Sequence, residues 1–162
     1  MSDANQLTSV PVSEIRDTDV WKFSADISDR LLAWNLFNII TGVILGRRGG
    51  FLRGFASQNI GWGLINSLIA VLGHRFNRRR MAMLDDPADP NVQQAESRNL
   101  RLILAFNSML DILYVFAGRR LARGAKLLSM RRGVGLGVMV QGALLLLFDW
   151  KMLRRSFGIR PS

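Results

Sequence analysis

The stretch 105-AFNSMLDILYVFAGRR-120 closes an apolar run that begins near residue 100, and it carries a carboxylate, Asp111, in its middle. At about 1.5 Å per residue, an apolar run of this length spans most of the ~30 Å hydrocarbon core of a bilayer. The run ends in Gly118-Arg119-Arg120, as a membrane helix ends when its bases reach the headgroups. An ionised Asp at the centre of such a helix costs about 2.5 to 3.5 kcal/mol, so Asp111 is either neutral and hydrogen-bonded, or ionised beside water, a cation or a partner's base.

Four segments share this character, at about 31–46, 54–73, 100–118 and 133–150. Backbone polar groups cannot be left unpaired in lipid, and the segments lack the alternating pattern of a barrel, so each reads as a helix. The expected fold is all-α: a bundle of four transmembrane helices over 31–162, preceded by a polar segment, 1–30. The first and fourth runs are short by themselves. Asp26 or Ser28 as N-cap would extend the first one upstream. Asp89-Pro90 reads as an N-cap followed by a first-turn proline, which starts the third helix well ahead of its apolar run.

Composition agrees with a small integral membrane protein carrying basic loops. The 162 residues are 49% apolar and 21% charged, with mean hydropathy +0.15 and net charge +10. Nucleic-acid binding does not fit that charge, because Lys and Arg flank apolar runs and no base-reading motif is present. There is no Cys and His74 is the only His, which excludes disulfides, thiolate metal sites, a thiol nucleophile, a bis-histidine haem and a His-rich metal site. No Walker, dinucleotide or zinc pattern occurs. The sequence therefore carries no expectation of an enzyme, a resident metal or a cofactor. Residues 1–30 hold six acids and three bases without an apolar core, unlike a cleavable signal peptide.

The loop 85-DDPADP-90 divides two halves that read as tandem copies. Set above 103-ILAFNSMLDILYVFAGRR-120, the segment 31-LLAWNLFNIITGVILGRR-48 shares Leu-Ala-aromatic-Asn and Gly-Arg-Arg at a constant offset of 72. The glycine-rich stretches 61-GWGLI-65 and 135-GLGVM-139 follow at an offset of 74. Each unit would be a two-helix hairpin, so both copies point the same way. In this alignment Asn35 pairs with Asn107, Asp111 faces an isoleucine, and the Asp breaks the symmetry.

Each helix carries a polar or small-residue stripe: Asn35 and Asn38; Asn59, Gly63 and Asn66; Asn107, Asp111, Tyr114 and Gly118; Gly133, Gly137 and Gln141. Polar groups facing lipid would go unpaired, so the stripes are expected to turn inward or onto a protein partner. Asn35, Asn38, Asn107, Asp111, Tyr114 and Gln141 form the candidate intramembrane polar site. Gly63, Gly133 and Gly137 are the candidate close-packing positions.

Arg119, Arg120, Arg123, Lys126, Arg131 and Arg132 concentrate in one hairpin loop without an acid, a composition suited to anionic headgroups. The side holding both termini carries more bases in total, which leans towards cytoplasmic termini. Trp21 and Trp150 read as interface anchors on that side, and Asp149 as a headgroup-level acid paired with a loop base.

The motifs Asn107-x3-Asp111-x2-Tyr114, Gln141-Gly142 and Phe148-Asp149 resemble an uncharacterised family of small four-span bacterial membrane proteins. The resemblance implies a bundle in a bacterial inner membrane and assigns no activity. Two functions follow as expectations. The favoured one is a non-catalytic interaction protein, an accessory or scaffold subunit or a self-associating bundle, with other membrane subunits and anionic lipids as partners. The alternative is a small oligomeric proton- or cation-linked transporter or channel that uses Asp111.

Overall fold

The structure, a computed structural model, describes residues 19–159. It consists of four helices: α1 Val20–Gly46, α2 Gly50–Ala82, α3 Pro90–Ala122 and α4 Met130–Ser156, with no strand among the described residues. The all-α expectation is met. Each helix is longer than the apolar run that signalled it, because polar turns continue the hydrogen-bonding pattern beyond the hydrophobic stretch.

The helix starts have identifiable causes. Asp89 caps α3 by accepting from the Asn91 and Val92 backbone N–H groups at 2.7 and 3.2 Å, with Pro90 in the first turn. Replacing Asp89 with Ala is expected to cost about 1 kcal/mol, read as a lowered thermal midpoint by circular dichroism. At α1 the cap is Asp19, which accepts from Trp21 N–H at 2.8 Å, and Asp26 and Ser28 lie inside the helix. Gln93 explains this earlier start. Its side chain accepts from Val20 N–H and donates to Asp19 and to the Pro87 carbonyl, joining the starts of α1 and α3. Trp21 is buried in the same cluster, its indole N–H donating to Pro87 O at 3.0 Å, so it is no interface anchor, whereas Trp150 is exposed. The described part of the polar segment 1–30 is thus helical from Val20; residues 1–18 lie outside the described residues.

Three helices, α2, α3 and α4, are long and apolar enough to cross a membrane. α1 is not among them. Its uncharged stretch, 31–46, is bounded by Asp29-Arg30 and Arg47-Arg48 and diluted by Asn35 and Asn38.

Glycine positions fix how the helices meet. Within the first hairpin, a Cβ on Gly42 would meet Ala56 O and Ile60 N, and one on Gly63 would meet Asn35 O, so α1 and α2 run antiparallel. In the second hairpin Gly118 faces Gly135 O and Met139 N, and Gly142 faces Asp111 O and Val115 N. Between hairpins, Gly54 abuts Met130 O and Val134 N, while Gly133 abuts Phe51 O and Phe55 N. This last contact is reciprocal. It makes α2 and α4 parallel neighbours, so the two hairpins point the same way, related by a pseudo-twofold axis between α2 and α4.

These contacts also set the register of the duplication, and it differs from the one aligned in sequence. Gly42 corresponds to Gly118 and Asn35 to Asp111, an offset of 76; Gly54 corresponds to Gly133 and Gly63 to Gly142, an offset of 79. Burial follows the new register: Asn35, Gly42, Ala56, Ala70 and their counterparts Asp111, Gly118, Gly135, Asp149 are all buried, whereas Asn107 is only half-buried. Asp111 therefore occupies the place of Asn35. The carboxylate replaces an amide at a symmetric core position.

Candidate functional site

Polar and apolar side chains are distributed inversely to a water-soluble fold. The buried set is rich in amides, acids and serines, including Asn35, Asn38, Asn59, Asp111, Gln141 and Asp149. Large apolar side chains point outward on every helix, among them Phe37 and Ile44 of α1, Leu68 of α2, Phe106 and Phe116 of α3 and Leu147 of α4. The stripes read from the sequence do face inward.

They do not form one cluster. Gln141 of α4 donates from Nε2 to Asn59 Oδ1 at 2.6 Å and to Asn38 Oδ1 at 3.1 Å, and Asn38 donates back to Gln141 Oε1 at 3.5 Å. This triad ties α1, α2 and α4. Tyr114 packs edge-on against Trp62 with ring centroids 4.7 Å apart and closes over Gly142. Asn107 lines a cavity and is not hydrogen-bonded to the triad. Asn35 is fully buried with neither side-chain atom hydrogen-bonded, and Asn66 Nδ2 and Asp111 Oδ2 are likewise buried without a partner within the chain. A buried polar atom of this kind needs water, a ligand or a proton to offset its desolvation.

Asp149 corrects its sequence reading. It is 8% exposed, and none of the three ion pairs among the described residues includes it. It lies within electrostatic reach of Asp111, so the interior holds two carboxylates and not one. The signal for this was present: Gln141, Leu145 and Asp149 recur every four residues and place the acid on the buried face of α4. The flanking Trp150 and Lys151 masked it. Asn59, the partner of Gln141, was legible as a stripe residue but could not be paired without the structure.

At the opposite end, Phe51 N–H donates to Leu128 O at 3.0 Å and joins the two hairpin loops. Gly50 takes φ +59°, and a Cβ there would meet Leu128 O at 2.9 Å, so glycine serves both the turn and the close approach. The joined loops gather Arg47, Arg48 and Arg53 with the six bases of 119–132, and no acid. All but Arg132 are exposed, and Leu127 and Leu128 project among them.

Neither a curated protein nor a solved structure matches the chain. Residues 30–150 match a family of unknown function, DUF6992. That span takes in most of α1, all of α2 and α3 and most of α4, and with it every motif on which the resemblance to an uncharacterised family rested: the chain belongs to the DUF6992 family.

Proposed function

We propose that this chain is a non-catalytic integral membrane protein that acts by interaction, as an accessory or scaffold subunit or a self-associating bundle, with its basic loop end on anionic headgroups. The carrying observation is the outward apolar surface around a polar interior. Such a surface is stable against hydrocarbon and would aggregate in water. In this reading α1 crosses alongside α2 as a fourth span, helped by its antiparallel packing on that helix. The larger number of bases on the terminal side favours cytoplasmic termini. The internal amide triad leaves the outer faces and the loop end for partners.

Native mass spectrometry after mild detergent extraction tests this reading. Co-purifying polypeptides at fixed stoichiometry, or a defined homo-oligomer, support it; a monomer carrying neither subunits nor anionic lipid overturns it. Arg123→Gln is expected to weaken anionic-lipid binding by about 1 kcal/mol, roughly fivefold, measured by native mass spectrometry of the detergent-solubilised protein titrated with phosphatidylglycerol.

One observation favours a second reading, a proton- or cation-linked transporter working as an oligomer: Asp111 is buried without a partner beside Asp149. A cation-dependent flux in liposomes that disappears in Asp111→Asn would support it over the first.

A further inference from the structure

Near the start of α1 and the end of α4 the four helices border a half-open cavity of about 720 Å³, within the range of about 300 to 1,000 Å³ common to small-molecule sites. Ser24, Ile27 and Leu31 line one wall, and their counterparts Leu100, Ile103 and Asn107 line the facing one. Ala70 of α2 is likewise matched by Asp149 of α4. The two halves thus differ in polarity at the floor, where Asn107 stands for Leu31 and Asp149 for Ala70. The second copy alone places an unpaired carboxylate in the lining.

The corner at Asp149 is acidic. Asp149 is more than nine-tenths buried, faces the cavity, and has neither a hydrogen bond nor an ion pair among the described residues. Asp111, one turn beyond Asn107 on α3, adds a second carboxylate within electrostatic reach, its Oδ2 unpartnered. Arg80 at the roof does not compensate them, because it is paired with Glu96 at 2.7 Å. The remaining walls are mostly apolar, with Ile69 and Phe148 beside Ile27, Leu31 and Ile103. Phe76 and Leu102 both line the cavity and are exposed, so it opens sideways between α2 and α3, on the face directed at lipid in the membrane reading.

We infer that this chamber binds a lipophilic organic ammonium ion, its N–H groups on Asp149 and Asn107 with Asp111 behind, and its apolar body against Leu31, Ile103 and Phe148. An ammonium supplies both the missing charge and the missing donors, and its bonds to carboxylate are charge-assisted. A neutral guest would leave the acids uncompensated. A bare metal ion prefers more oxygen ligands than are assembled here, since no group of three His, Cys, Asp or Glu is found among the described residues. The lateral opening suits a ligand that partitions into the bilayer first. The inference does not depend on the interaction reading, because a resident cation could serve a scaffold, and binding is measured without transport.

The test uses the full chain in phosphatidylcholine nanodiscs, with 9-aminoacridine as fluorescent probe, empty discs as reference, and acridine in buffer where it is neutral. Saturable binding of one 9-aminoacridine per chain is expected, with acridine at least about tenfold weaker. Asp149→Asn should weaken the amine about tenfold or more and leave acridine unchanged. Because Asp149→Asn could disturb packing, Leu31→Trp provides a second arm: it keeps both acids, fills the chamber opposite Asn107, and should abolish binding of the amine. Equal binding of amine and acridine, or wild-type binding by Leu31→Trp, would overturn the inference. So would a polypeptide that co-purifies with the wild type, is lost from Asp149→Asn, and is not displaced by the amine, since a partner's basic side chain would then be the occupant.

Discussion

Replacing Gly133 with Val is expected to lower the stability of the bundle by about 3 kcal/mol, at the upper end of the cost of overpacking. A Cβ at Gly133 collides with Phe51 O and Phe55 N, and the reciprocal Gly54 abuts Met130 O and Val134 N. Both obstacles are backbone atoms of a neighbouring helix. They cannot rotate away as a side-chain tip would, so the helices must separate along the contact that joins the two hairpins. The measurement is the thermal loss of monodisperse protein in detergent. Gly61→Ala serves as the internal contrast, because nothing lies within 4 Å of a Cβ there, and alanine in a helix should gain up to about 1 kcal/mol over glycine. If both variants melt with the wild type, the α2–α4 crossing is not what holds the hairpins together.

Gln141→Leu is expected to cost about 2 kcal/mol and to do so through its partners. The substitution removes the hydrogen bonds to Asn59 and Asn38 and leaves two amide oxygens in the core. Leaving a buried acceptor unmet costs about 1 to 3 kcal/mol in proteins generally, whereas interhelical hydrogen bonds in a membrane average ~0.6 kcal/mol; the expected value lies between those bounds for two acceptors. The decisive comparison is a double-mutant cycle with Asn59→Leu. Removing both partners should cost clearly less than the sum of the single changes. Strict additivity would mean that the triad contributes nothing as a unit.

Much of this architecture was legible because bilayer-compatible helices announce themselves by composition. Uncharged runs located α2, α3 and α4, Asp89-Pro90 marked the start of α3, and the inward turn of the stripes followed from the cost of an unpaired amide in hydrocarbon. The start of α1 was not legible, since its cap depends on Gln93, which is distant in sequence. Asp149 was misread because Trp150 and Lys151 beside it carry the composition of an interface, while its own orientation depends on the face of α4 that Gln141 already occupied.

The sequence by itself determined four helices in two hairpins, a polar stripe and small residues on each, and an aspartate in the middle of an apolar run. The tertiary structure alone decided the register in which the two copies correspond. On a helix, positions one turn apart share a face, so Asn35 can be set against Asn107 or Asp111 with almost equal sequence support. Backbone approach is less tolerant. Only glycines can sit where Gly118, Gly54 and Gly133 meet neighbouring main chain, and Gly42 is nearly as tight against Ala56 O and Ile60 N; matching those contacts places Asp111 on Asn35 and Asp149 on Ala70. That pairing puts Asp149 in the wall of a cavity where its counterpart in the first copy is Ala70, a difference that arises from how four helices pack and not from the order of residues along any one of them.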